Sequence, residues 1–289
     1  MNNRKYYYLI SGLPDLIPDD KKLVFTSADV RSYLQNELHP SDFELVKQLY
    51  LPWDHDNLVK IMYKENFEWD IRGNYPREFM EQLADKKQFD VLETAGLPSY
   101  LVQFVEFFHD DEEDFPKQTA IRYLTEGWYR HLLESGNDFT VEYARYRLNM
   151  ANIMLALNGR KYDIPFEDAI IGDDDVTYAI KKSRSRDFGL ANEINNIETI
   201  IQIFETENIL DRELRIDSEL WQFLDELTFF NYFTIERVLA FVQKLFIAER
   251  WFRLDKESGQ LLFNQLLNEL QSSFEFPEEF AITYGKRNK

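Results

Sequence analysis

Cysteine is absent from this sequence of 289 residues. That one absence removes disulfide frameworks, thiol nucleophiles and thiolate metal sites, and it fits a reducing compartment. Glycine is sparse, ten in all. The closest two, Gly127 and Gly136, are too far apart for GxGxxG or GxxxxGK[ST], so no glycine loop is present to cradle phosphate. Nucleotide hydrolysis by this chain is not expected. No serine stands in a G-x-S-x-G elbow, which removes the commonest hydrolase signature. The four histidines, His39, His55, His109 and His131, form neither HExxH nor any i, i+4 pair, so no helical zinc site is predicted.

Basic residues are outnumbered, 33 Lys+Arg against 52 Asp+Glu, for a net charge of −19. Phosphate recognition draws most of its affinity from a basic footprint, so nucleic-acid binding is not expected. No run approaches the roughly 20 apolar residues of a membrane helix. The richest, Leu239 to Ala248, is broken by Gln243 and Lys244. The apolar patch from Tyr6 to Leu13 runs into Pro14-Asp15 and is too short and aromatic for a signal-peptide core. These absences predict a soluble, cytoplasmic protein with no catalytic residue, cofactor or metal ligand.

What the chain does have is apolar surface: 44% hydrophobic and 16% aromatic residues, enough for a core that offsets chain entropy. Between Pro165 and Pro277 there is no proline, and helical spacing recurs. Ile194, Ile197, Ile201 and Phe204 form one stripe. Leu220, Phe223, Leu224 and Leu227 form a second, Ile235 to Phe246 a third, and Leu262 to Leu270 a fourth, capped by Ser258. Upstream, Ser41-Asp42-Phe43-Glu44 reads as a capping box for a helix toward Tyr50. Ser99 is placed as the cap of a helix to His109. Further helices are expected over Lys117–Glu134 and Phe139–Asn158, the latter ended by Gly159. Lys5 to Ser11 and Leu23 to Thr26 are ambiguous between strand and helical turn. The fold class is all-α.

Acidic clusters are weighed against bland readings. Asp110 to Asp114 and Asp173-Asp174-Asp175 lack the alternation and the glycine of a calcium loop. The first is expected to be a solvated loop, and Asp175 is expected to cap a helix from Val176 to Lys182. His55, between Asp54 and Asp56, is expected to have a raised pKa. Glu249 falls on an apolar stripe, and an ion pair with Arg253 or Arg250, or an interface role, would account for it. Asn57 and Asn152, polar amides on apolar faces, are expected to tie their helices to a neighbouring backbone. The pattern Asp54-x-x-Asn57-Leu58 is echoed at Asn149-x-x-Asn152-Ile153, with a degraded third copy at Glu249 to Phe252. The spacing is about a third of the chain, as internal repeats would give.

Five segments carry a resemblance: Tyr6-Tyr7-Tyr8-Leu9-Ile10-Ser11-Gly12-Leu13-Pro14-Asp15-Leu16, Gly73-Asn74-Tyr75, Leu157-Asn158-Gly159-Arg160-Lys161-Tyr162, Ser185-Arg186-Asp187-Phe188-Gly189-Leu190, and Phe229-Phe230-Asn231-Tyr232-Phe233-Thr234-Ile235-Glu236-Arg237. Together they resemble a bacterial family of uncharacterised proteins encoded in V-type ATPase operons. That family in turn resembles the C subunit of V/A-type ATPases, subunit d in eukaryotes. Phe252 departs from the C-subunit pattern, which would place Asn there, and Pro14 interrupts its expected N-terminal helix. The resemblance implies a funnel-like body of three pseudo-repeated helical units, 1–97, 98–175 (or to 190) and 176–289, or one continuous domain. It implies a non-catalytic central-stalk subunit that couples the rotor shaft to the membrane ring during ion transport. Stalk and ring subunits would be its partners, and it would lie at the inner face of the membrane through them. An assembly factor or helical scaffold for the same ATPase, and a helical enzyme using a carboxylate pair, are the alternatives.

Overall fold

The computed structural model describes residues 4–13, 16, 25–110 and 115–253. Among them the chain forms twelve α-helices and no strand. The helices are α1 (Tyr7–Gly12), α2 (Ser27–Glu37), α3 (Pro40–Met62), α4 (Arg77–Ala84), α5 (Lys86–Phe89) and α6 (Ser99–Asp110). They continue with α7 (Lys117–Leu133), α8 (Asp138–Tyr162), α9 (Asp175–Lys182), α10 (Ile197–Phe204), α11 (Ile209–Leu227) and α12 (Ile235–Arg253). The Lys5 to Ser11 ambiguity resolves as helix from Tyr7 onward. The expected helix over Leu262 to Leu270, its Ser258 cap, and the Asp111 to Asp114 loop lie outside the described residues. The described residues divide into two compact units: those up to 141 together with 230–252, and 142–229.

In the first unit α3 is the central helix, packed by α2, α4 and α7, with α6 on α7. Val46, Leu49, Tyr50, Leu58 and Met62 are buried along it. Buried apolar groups on so many sides leave little room for solvent, which is why the polar residues on α3 need internal partners. The sequence places a helix end near Tyr50, but α3 runs on through Pro52 to Met62. Proline there leaves the carbonyl of Gln48 without its usual i+4 donor. The indole Nε1–H of Trp128 on α7 donates to that carbonyl at 2.9 Å. A tertiary contact thus supplies the hydrogen bond that proline removes. Gly127, one residue earlier, lets α7 approach α6: a Cβ there would lie 2.4 Å from the Tyr100 ring.

In the second unit, Ile153, Ala156 and Leu157 of α8 pack with Ile170, Ile180 of α9, Phe188, Leu190, and Ile197, Ile200, Ile201 and Phe204 of α10. Gly159 does not end α8, which continues to Tyr162 and turns off at Asp163, where φ is 56°. Its role is close approach, since a Cβ would lie 2.4 Å from Phe166 and 2.9 Å from the Ile164 carbonyl oxygen.

Several caps fall beside their expected positions. His39, not Ser41, caps α3, accepting from the Ser41 N–H at 3.2 Å, because Pro40 takes the first helical position. The carbonyl of Pro98 accepts from Leu101 and Val102, so Ser99 lies inside α6. Asp174, not Asp175, caps α9 by accepting from the Thr177 N–H at 2.8 Å.

Trp128→Phe should cost about 1–3 kcal/mol in urea unfolding, because it strands the Gln48 carbonyl. Pro52→Ala restores an N–H to that carbonyl, so the same Trp128→Phe change should cost measurably less in a Pro52→Ala background. Equal costs in both backgrounds would refute the compensation.

Candidate functional site

The residues the sequence singles out are gathered into buried hydrogen-bonded joints. On α3, Asn57 donates from Nδ2 to the Asp70 carbonyl at 2.9 Å and accepts from the Asp70 N–H at 3.1 Å. On α8, Asn152 does the same to Ile171, donating at 2.7 Å and accepting at 3.1 Å. Each amide closes on the N–H and C=O of one residue in the segment after its own helix. Both side chains are buried, so the pairing satisfies four polar groups that would otherwise be costly. The expected tie to neighbouring backbone is present in both.

Asp54, three residues before Asn57, is wholly buried. It accepts from Asn74 Nδ2 at 2.7 Å and from the Tyr75 N–H at 3.2 Å. Gly73 makes that approach possible, since a Cβ there would lie 2.6 Å from the Asp54 carboxylate. The Gly73-Asn74-Tyr75 motif is thus the seat of Asp54. Burial pushes the Asp54 carboxyl up to about 6, against the opposing pull of those hydrogen bonds.

The expectation for His55 fails. Burial pushes its imidazole down to about 3 rather than up, aided by His131. Neighbours at i±1 do not face each other on a helix. Asp54 turns to Asn74 and Tyr75, Asp56 pairs with Lys60 at 2.6 Å, and His55 meets the Tyr100 hydroxyl at 2.8 Å. Of the other histidines, His109 is buried with Nε2 3.3 Å from the Leu83 carbonyl oxygen, His131 is half-buried, and His39 is the exposed cap. His55 and His131 both lie against the Tyr100 ring, at 5.6 and 5.8 Å, while His39 and His109 have other partners. Among the described residues no group of three or more His, Asp and Glu side chains is placed to hold a metal ion. Nor, among them, is any helix long and apolar enough to cross a membrane.

Glu249 on α12 is buried, and its carboxylate accepts from the Ser27 N–H at 2.5 Å and from Ser27 Oγ at 2.6 Å. It thereby satisfies one of the orphan donors at the start of α2. The Glu249 side chain thus grips the end of a helix. The side chain of Arg253 lies outside the described residues.

The remaining motifs are joints too. Tyr6 donates its N–H to the Phe233 carbonyl at 2.7 Å, and the Tyr7 and Phe233 rings lie 4.7 Å apart. The Arg160 guanidinium donates to the Ser183 and Ser185 carbonyls and lies 3.8 Å over the Phe188 ring. Phe188 is buried at φ 57°, and that stacking helps to hold this left-handed turn. Beside the first joint the first unit exposes aromatic side chains: Tyr8 is 97% accessible, Phe230 82% and Tyr232 64%.

The second unit also holds a half-open cavity of about 360 Å³ between α8, α11 and the turn before α10. Tyr146 and Phe223, both half-buried, stack on each other in its wall at 4.0 Å and 12°. Glu193, Glu219 and Glu226 line it, with Glu142 paired to Arg145. Asn196 donates to Glu219 at 3.1 Å. The Tyr146 hydroxyl is shut from solvent beside Asn196 without a partner in hydrogen-bonding geometry, and burial raises its pKa. Sequence reading missed this cavity, because its walls come from residues 142 to 226 and no local spacing joins them. None of its glutamates is buried, so the lining provides negative charge and an aromatic surface rather than a carboxyl group of the desolvated, proton-donating kind.

These features define a class: a protein all-helical among the described residues, with two compact units, each fastened within itself by buried side chains that hold backbone of other segments. The chain belongs to the family described as "Protein of unknown function (DUF2764)", which matches residues 1–274. No match was found among curated proteins or among solved structures.

Acid–base linkage gives a test of the α3 joint. Asp54 holds its proton in the folded state up to about pH 6 but releases it near 3.8 when unfolded, so its contribution to stability is full below 3.8 and is lost as pH rises through 6. His55 is the reverse, since its stability is full above 6.5 and is lost as pH falls toward 3. The two largely cancel between pH 4 and 6. Asp54→Asn leaves His55 uncompensated, so relative to wild type the variant should lose about 1–3 kcal/mol between pH 7 and pH 4 in urea titrations. A difference that does not change with pH would contradict the assignment.

Proposed function

We propose that this protein is a non-catalytic coupling subunit of a V/A-type ATPase, standing between the central rotor shaft and the membrane ring, at the cytoplasmic face and held there by protein partners. The reading starts from the five-segment resemblance to a family encoded in V-type ATPase operons and, through it, to the C subunit. The observation that carries it is the pair of amide clamps at Asn57 and Asn152. A polar-x-x-Asn-aliphatic pattern arises easily by chance, but here each copy closes on the N–H and C=O of one residue in the segment that follows its long helix. That favours a body built from repeated helical units, the architecture the resemblance implies. The buried joints suit a part that must transmit force without deforming, because a close-packed interior cross-tied by hydrogen bonds passes strain on. The exposed aromatic side chains at Tyr8, Phe230 and Tyr232 offer surface of the kind that partners cover. The acidic exterior favours basic protein loops over anionic lipid.

The test is native affinity purification of the tagged chain from membranes that contain the ATPase. Stalk and ring subunits should be recovered with it in fixed ratio. Recovery only with unassembled intermediates would make it an assembly factor instead. Recovery of the chain alone would sink both readings.

A further inference from the structure

We propose that the cavity of the second unit is a socket for an arginine side chain carried by a segment of a protein partner. This rests on the cavity alone and holds whichever protein supplies the arginine. Its size lies at the lower end of the range for ligand sites, larger than one guanidinium requires, so residues flanking the arginine would share it. Tyr146 and Phe223 are stacked face to face in the cavity wall, and a guanidinium can extend such a stack while its edge still donates hydrogen bonds. Glu193, Glu219 and Glu226 supply acceptors around that surface, and the one cation in the lining, Arg145, is already paired with Glu142. The local field therefore selects a cation, and the buried Tyr146 hydroxyl has unused hydrogen-bonding capacity.

Arginine is favoured over lysine on geometry. An ammonium is a compact, strongly hydrated point charge, whereas the guanidinium offers a flat face to the rings and a fork to the carboxylates. Within the chain itself the two shortest cation–ring contacts among the described residues are made by arginine, Arg160 lying 3.8 Å over Phe188 and Arg72 4.6 Å over the Trp53 ring, while the lysines Lys60 and Lys161 stay at 5.3 Å or more.

The experiment titrates the full chain at low salt with three blocked peptides, acetyl-Gly-X-Gly-amide, where X is arginine, lysine or the uncharged isostere citrulline, and with spermidine. Saturation-transfer NMR reads the affinities. The arginine peptide should bind saturably and at least about fivefold more tightly than the others. Phe223→Ala and Glu219→Gln should each weaken it about fivefold or more. Glu193→Gln, at an exposed position where folding is not at stake, should weaken it as well. Glu106→Gln, on the exposed face of α6, should leave it unchanged. Equal binding of lysine peptide or spermidine would overturn the proposal in favour of general attraction to an acidic surface. So would arginine binding that ignores the Phe223, Glu219 and Glu193 changes, or no saturable binding at all.

Discussion

A buried polar side chain in an aromatic core must find a partner or cost the fold several kcal/mol, and in this protein the partner is repeatedly the backbone of a distant segment. Asp54 holds Tyr75, Asn57 holds Asp70, Asn152 holds Ile171, and Glu249 holds Ser27. A backbone partner fixes more than a side-chain partner would. Both the position and the direction of the held peptide are set, so the loop it belongs to inherits a definite path. Each unit is therefore specified by a few side chains whose loss would strand both ends of the contact, while the aromatic packing around them supplies most of the free energy.

The motifs behind the family resemblance acquire a physical meaning in this light. Gly73 is required because the Asp54 carboxylate occupies the space of its missing Cβ. Arg160 and the Ser185 to Phe188 turn, separate in the sequence, are two halves of one contact. The N-terminal tyrosines and the Phe233 segment are another such pair. Residues that recur for such reasons mark where the chain meets itself. They say what keeps the body rigid, whereas recognition belongs to surfaces such as the exposed aromatics and the acidic cavity.

Much of the fold was legible because helical periodicity is a local property. The stripes through Ile197 to Phe204, Leu220 to Leu227 and Ile235 to Phe246 lie on helices, and the absence of alternation agrees with the absence of strands among the described residues. The errors arose where a distant group decides the outcome. Gly159 looked like a cap, yet it sits inside a helix because Phe166 needs the room. The helix expected to run toward Tyr50 continues through Pro52 to Met62, where Trp128 supplies the donor that proline lacks. His55 looked charged by its sequence neighbours, yet burial governs it. The cavity was illegible for the same reason at longer range, since Tyr146 and Phe223 become one surface only when α8 and α11 pack in the same unit.

The charge balance has a consequence of its own once the ion pairs are placed. Lys47, Lys60, Arg77, Arg130 and Arg145 pair with a glutamate or aspartate three or four positions away on the same helix, and Arg186 bridges Glu198 and Glu205. Exposed pairs of this kind contribute little to stability. What they do is neutralise cations locally, so the net charge of −19 is carried by acids in excess of those pairs. A surface of that kind raises the encounter rate with basic partners and loses the advantage as salt screens it. Affinity would then have to come from short-range fit, which only a shaped site provides. The exterior selects the sign of the partner, and the Tyr146–Phe223 surface with its surrounding carboxylates is a place where that selection becomes specific.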